Sequence, residues 1–199
     1  MTRKHELLIC GIAVLLAVFL TGWIVRLYAE RSALEERQEQ EVLTRYRAGL
    51  NDLANSLERF GEAQTPYDQI SCLNDVLDDL TELKAFMEMH IHLVEDVADA
   101  DPSAWREIEK VIWRIRHGGE QTEAFDKDGF ISESEAAVIL MLKDEVAALR
   151  SDMTVWRDDG NYENGLTSLE VYIRLKEIMI DLQTQLNKGW SGPPAKSVA

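Results

Sequence analysis

Apolar residues fall into two patterns along this chain. From Leu7 to Val25 they run as LLICGIAVLLAVFLTGWIV, nineteen residues without a charge. Beyond that they recur every three or four positions, the spacing of one helix face, almost to the C-terminus. Leu43, Tyr46, Leu50, Leu53, Leu57 and Phe60 follow at intervals of 3, 4, 3, 4 and 3, a heptad seam that Gly61 ends. Thr65-Pro66 supplies an N-cap and a first helical residue for a second helix. Its face is Ile70, Leu73, Leu77, Leu80, Met87, Ile91 and Val94, interrupted by Lys84 and widened by Val76, Leu83 and Val97. Asp101-Pro102 repeats the start signal for a short third helix through Trp105, Ile108, Ile112 and Ile115, closed by His117-Gly118-Gly119.

Ser132 and Glu135 form the S-x-x-E capping box of a fourth helix. This helix carries Val138, Leu142, Val146, Leu149, Met153 and Trp156 and stops at Asp158-Asp159-Gly160. A polar loop, Asn161 to Gly165, leads to a fifth helix through Leu169, Tyr172, Ile173, Lys176, Met179, Ile180 and Leu186. No alternating apolar run bounded by turn residues predicts a strand. The expected fold is all-α: a single N-terminal transmembrane helix followed by an antiparallel bundle of four long helices and one short one. Residues 1–29 form the anchor, 30–42 a polar helical stalk around EERQEQE, 43–188 the bundle and 189–199 a disordered tail.

The anchor reading rests on length. Nineteen helical residues span roughly 28 Å, close to the ~30 Å of a hydrocarbon core. Trp23 and Tyr28 stand where interfacial aromatics belong. Cleavage after Gly22 or Ala29 would put Leu20 or Leu27 where a small residue is needed, so the run reads as an uncleaved signal-anchor. Cys10 lies too near the start of the run for a lipoprotein site. Arg3 and Lys4 favour a cytoplasmic N-terminus and an extracytoplasmic bundle, although Arg26, Arg31 and Arg37 beyond the span weaken that bias. Cys72 then has no mate in an oxidising compartment, so it is either buried or a link between chains.

Charge narrows the partners. Acidic residues outnumber basic ones 36 to 21, a formal charge of -15, and a nucleic-acid partner needs the opposite balance. The expected contacts are the membrane through residues 7–25 and a protein partner. The Leu43–Phe60 seam could serve the bundle or pair two copies as a parallel homodimer.

Two acidic segments invite metal chemistry. FDKDGFISESE resembles an EF-hand calcium loop over residues 124–135, with Gly129 as the turn glycine, Ile131 two residues later and Glu135 closing the loop. Asp126 and Asp128 take the third and fifth positions, while Ala124 stands at the first and cannot coordinate. In residues 159–170, Asp159, Asn161, Glu163 and Glu170 fall at the first, third, fifth and twelfth positions, with Asn164 in place of the glycine. Both loops are degenerate, and the unbroken helix between them argues for capping turns. Calcium is therefore the one cofactor that this pattern raises.

Other chemistry finds little purchase. His90 and His92 are two apart and diverge on a helix, and the Glu88, His92, Glu95 face has no matching E-x-x-H elsewhere. No nucleophile elbow, Walker A or H-E-x-x-H occurs, and Trp105 and Trp156 sit on core seams. The expectation is a non-catalytic, membrane-anchored structural, interaction or regulatory module. The alternative is a sensory ligand-binding bundle, responsive to calcium through residues 124–135 and 159–170. Its layout resembles the sensor part of bacterial chemoreceptors, but it lacks their second span and signalling domain.

Overall fold

The structure, a computed structural model, describes the backbone of residues 3–91, 104–118, 124–125, 127, 129–156 and 162–187. The side chains of residues 3–14, 91, 155–156 and 162–164 lie outside the described set, as does the tail from residue 188. The chain divides into two units, residues 1–41 and 42–199.

The first unit is helix α1, which runs Arg3–Glu62 and continues into the second unit. Past its apolar stretch it is held by local ion pairs, Arg26–Glu30 and Arg31–Glu35, both at 2.8 Å and four residues apart. Such exposed pairs contribute only about 0.3–0.5 kcal/mol each. Leu15 and Phe19 are each 71% exposed, and Leu16, Val18, Ile24 and Val25 are also exposed. Among the described residues no helix is long and apolar enough to cross a membrane. Of the predicted span 7–25, side chains are described only from Leu15 onward.

The second unit is the predicted helical bundle. Along α1, Leu43, Tyr46, Leu50, Leu53, Leu57 and Phe60 are all buried within this chain. Helix α2 (Pro66–Ile91) runs antiparallel to them: Tyr46 pairs with His90 near one end, and Arg59 with Asp75 near the other. Helix α3 (Ala104–His117) lies against α2, joined by Lys84–Glu109 at 3.0 Å and Arg116–Asp78 at 3.5 Å. Lys84, which interrupts the apolar face in sequence, also lies over the Trp105 ring at 5.2 Å.

Helix α4 (Glu133–Asp152) packs on the other side of α1, again antiparallel. Leu140 lies beside Gly61, and Arg47 reaches the Met153 carbonyl. Helix α5 (Ser168–Asn187) closes the bundle against α3 and α4. Glu107 ties α3 to α5 by accepting from Gln183 at 2.6 Å and from Lys110 at 2.7 Å. Cys72 is half-buried against the core and forms no disulfide.

The helix boundaries follow local chemistry. Asp68 N–H donates to Thr65 Oγ1 at 3.1 Å, capping α2 as its sequence predicts. Gly118 ends α3 with φ 73°, where its N–H donates to the Arg114 carbonyl at 2.8 Å. The predicted starts at Asp101-Pro102 and the residues Val94 and Val97 lie outside the described residues.

Three expectations are corrected. The fourth helix stops at Asp152 rather than running to Trp156. Thr154–Trp156 forms strand β1, paired antiparallel with strand β2 (Tyr162–Asn164) in the register Thr154↔Asn164, Val155↔Glu163 and Trp156↔Tyr162. The expectation of no strand therefore fails at one hairpin. Thr154, Val155 and Trp156 favour extended backbone, and the Asp-Asp-Gly-Asn segment after them favours reversal over continuation. The third correction concerns α5. Its buried face is Val171, Tyr172, Leu175, Met179, Leu182 and Leu186, whereas Ile173 and Ile180 point outward at 40% and 41% exposure.

This rotation sets a test. Leu175→Ala should cost about 2–5 kcal/mol in chemical unfolding, because it opens a cavity in the core. Ile180→Ala should cost less than about 1 kcal/mol, as a largely solvated position does. Equal losses at the two sites would mean that α5 presents the face first expected.

Candidate functional site

The predicted calcium residues are placed as follows. Asp126, Asp128, Asp159 and Asn161 lie outside the described residues. Glu163 is in the middle of β2, opposite Val155, and its side chain is not described. Glu135 and Glu170, the two residues that would close the loops, stand in the first turns of α4 and α5. The loops therefore sit at opposite ends of α4, whose 20 residues span roughly 30 Å.

Both glutamates already have work of another kind. Glu135 accepts from Ser132 N–H and Ser132 Oγ, each at 2.7 Å, while Glu135 N–H donates to Ser132 Oγ at 3.3 Å. Glu170 does the same with Thr167: it accepts from the N–H at 2.8 Å and the hydroxyl at 2.9 Å, and its own N–H donates to Thr167 Oγ1 at 3.2 Å. These are two reciprocal capping boxes. The T-x-x-E signal at Thr167 was present in the sequence, hidden by the assignment of Glu170 to a loop. Among the described residues no group of three or more His, Cys, Asp or Glu is arranged to hold a metal ion.

Polar groups inside the bundle are few. Tyr46 Oη and His90 Nδ1 share a buried hydrogen bond at 2.8 Å. The Phe86 ring meets Tyr46 edge-on at 4.8 Å, and Tyr172 of α5 approaches His90 at 6.2 Å. The pair lets α1, α2 and α5 meet without stranding a polar atom. His90 thus joins helices within the core, and its neighbour His92 lies outside the described residues.

A different feature has the shape of a binding site. A cavity of about 380 Å³ lies between α1 and the end of α4, lined by Arg47, Asn51, Ala147, Arg150, Ser151, Met153 and Thr154. Its volume is at the small end of the range for small-molecule pockets. Arg47 and Asn51 stand four residues apart on α1, and so share one face. Arg150 and Ser151 occupy the last turn of α4, and Met153 is its C-cap. Arg47 Nη2 donates to the Met153 carbonyl at 3.3 Å, which aims the guanidinium toward the end of α4. Sequence spacing could not reveal this site, because its two arginines are about a hundred residues apart and meet only through packing.

No protein-family model, curated protein or solved structure matches this chain.

The caps give the fold a pH dependence. The Glu170 carboxyl is held below its ordinary range, chiefly by the Thr167 backbone N–H and then by the Thr167 hydroxyl. At Glu107 burial pushes upward, but hydrogen bonds from Lys110 and Gln183, with the charges of Lys110 and Lys176, outweigh it and the net direction is down. A carboxyl depressed in the folded state adds stability above its unfolded pKa, about 4.3 for glutamate, and loses it as pH falls further. Melting temperature should therefore hold steady from neutral pH to about 5 and drop below about 4.3. Glu170→Gln, which removes the titrating carboxyl, should flatten that acid slope, and an unchanged slope would remove the cap as its source. At neutral pH, Ser132→Ala should cost about 0.5–2 kcal/mol.

Proposed function

We propose that this protein is a membrane-anchored helical bundle that acts as a structural, interaction or regulatory module outside the cytoplasm, without catalysis. The observation that carries this reading is the uncharged run from Leu7 to Val25, together with the exposure of its described portion. Leu15, Leu16, Val18, Phe19 and Leu20 point around the helix and are exposed, an arrangement stable in lipid and costly in water.

The bundle beyond it carries the charge. An acidic field at -15 repels anionic lipid headgroups and favours a basic protein partner. Because the Leu43–Phe60 seam is buried in its own bundle, a partner or second copy must use another face. The exposed apolar side chains outside the anchor, among them Tyr67 and Trp113, offer anchoring points for such a contact.

Alkaline extraction of membranes tests the anchor. The full chain should remain with the membrane pellet, whereas the double variant Leu16→Arg, Phe19→Arg should move to the supernatant, since each charge costs roughly 2.5–3.5 kcal/mol at the centre of a span. Protease added to the outer face of intact cells should reach the bundle. A full chain found in the soluble fraction would overturn the anchor, and a bundle protected from external protease would overturn its placement.

A further inference from the structure

We propose that the cavity between α1 and the C-terminal end of α4 binds a small organic acid, with Arg47 and Arg150 holding its carboxylate. The proposal does not depend on the membrane reading.

Three observations converge on it. The first is the lining. None of the described residues that line it is acidic, in a chain where acidic residues outnumber basic ones 36 to 21. Residues that carry two guanidinium groups, an amide and two hydroxyls line one space instead, and each of these groups can donate to a carboxylate. The second is Arg150 itself. It is half-buried and, among the described residues, makes neither a hydrogen bond nor an ion pair, while acidic side chains are plentiful elsewhere. The third is the position of Arg47. Its bond to the Met153 carbonyl fixes the side chain beside the cavity before any ligand arrives, and preorganised arginine loses less freedom on binding.

The remainder of the lining separates an organic acid from a bare inorganic anion. Ala147 and buried Met153 give the cavity an apolar portion, and about 380 Å³ is ample for a short carbon chain beside the carboxylate. Asn51, Ser151 and Thr154 can meet a second polar group at the ligand's other end. Arginine binds a carboxylate through two parallel N–H donors, which suits the pair of guanidinium groups here.

The test is calorimetric titration of the full chain in detergent with succinate as probe, and with inorganic phosphate in a parallel arm. Succinate should bind saturably and more tightly than phosphate. Arg150→Gln should weaken it about tenfold or more, the effect of losing a charge-assisted hydrogen bond. Asn51→Asp, an exposed position on α1, should weaken it similarly by placing a negative charge at the cavity, and unchanged circular dichroism would show that both variants fold. No saturable succinate binding up to roughly 10 mM would overturn the proposal. Equal binding by the wild type and both variants would overturn the site. Tighter binding of phosphate than of succinate would overturn the ligand class.

Discussion

The α1 seam from Leu43 to Phe60 has to be covered from two sides at once. Leu50, Leu53 and Leu57 are each fully buried, and no single antiparallel neighbour can enclose a stripe that includes Val42 and Ala54 as well. Helix α2 covers one side and α4 the other, both antiparallel to α1. That leaves a gap between α2 and α4, which α3 and α5 fill by packing on each other and on those two helices. Each buried leucine contributes roughly 1.5–3 kcal/mol, so the seam is the largest stabilising feature that a single element supplies. The positions of the caps, the Tyr46–His90 bond and the arginine-lined cavity follow from this arrangement.

Packing of that kind brings helix ends together, and helix ends carry unpaired backbone groups. The chain meets them with one device used three times: Thr65 with Asp68, Ser132 with Glu135, and Thr167 with Glu170. In each, a hydroxyl accepts from the third residue of the helix while that residue's carboxylate returns the bond. The same carboxylates explain why two segments read as calcium loops. An acidic turn followed by a closing glutamate is common to an EF-hand and to a capped helix start. In this structure Glu135 and Glu170 accept hydrogen bonds from their own caps.

Much of the architecture was legible because it depends on local chemistry. Five helices, the short third one, and starts at Thr65 and Ser132 could be read from periodicity and capping residues. The α1 seam was legible too, since its period holds without a competing face. Two features were not. Met153 and Trp156 continue the helical spacing of α4, so the pattern favoured helix where Thr154, Val155 and Trp156 form a strand. In α5, isoleucines at 173 and 180 and leucines at 175, 182 and 186 make two plausible faces, and only contact with α3 and α4 decides between them. The cavity belongs to a third category. Arg47 and Arg150 have no sequence relationship, and their proximity is a product of the antiparallel α1–α4 pairing.

The net charge of -15 does not weigh against an anion in that cavity. At physiological salt, exposed charges more than about 8 Å apart are largely screened, so the distant carboxylates contribute little. Local groups matter more, and among the described residues these include the Arg47 and Arg150 guanidinium groups and the carbonyl end of α4. That helix end carries roughly half a negative charge, which Arg150 in the last turn and the Arg47 bond to Met153 offset. On the proposed reading, a bound carboxylate would meet that partial negative charge, which would favour modest, reversible affinity over a permanent complex. The cavity also joins α1 to the segment that leads into the hairpin through Thr154, so occupancy would act on the junction of helix and strand. A ligand that binds weakly at such a junction can report its concentration, which a tightly held structural ion could not do.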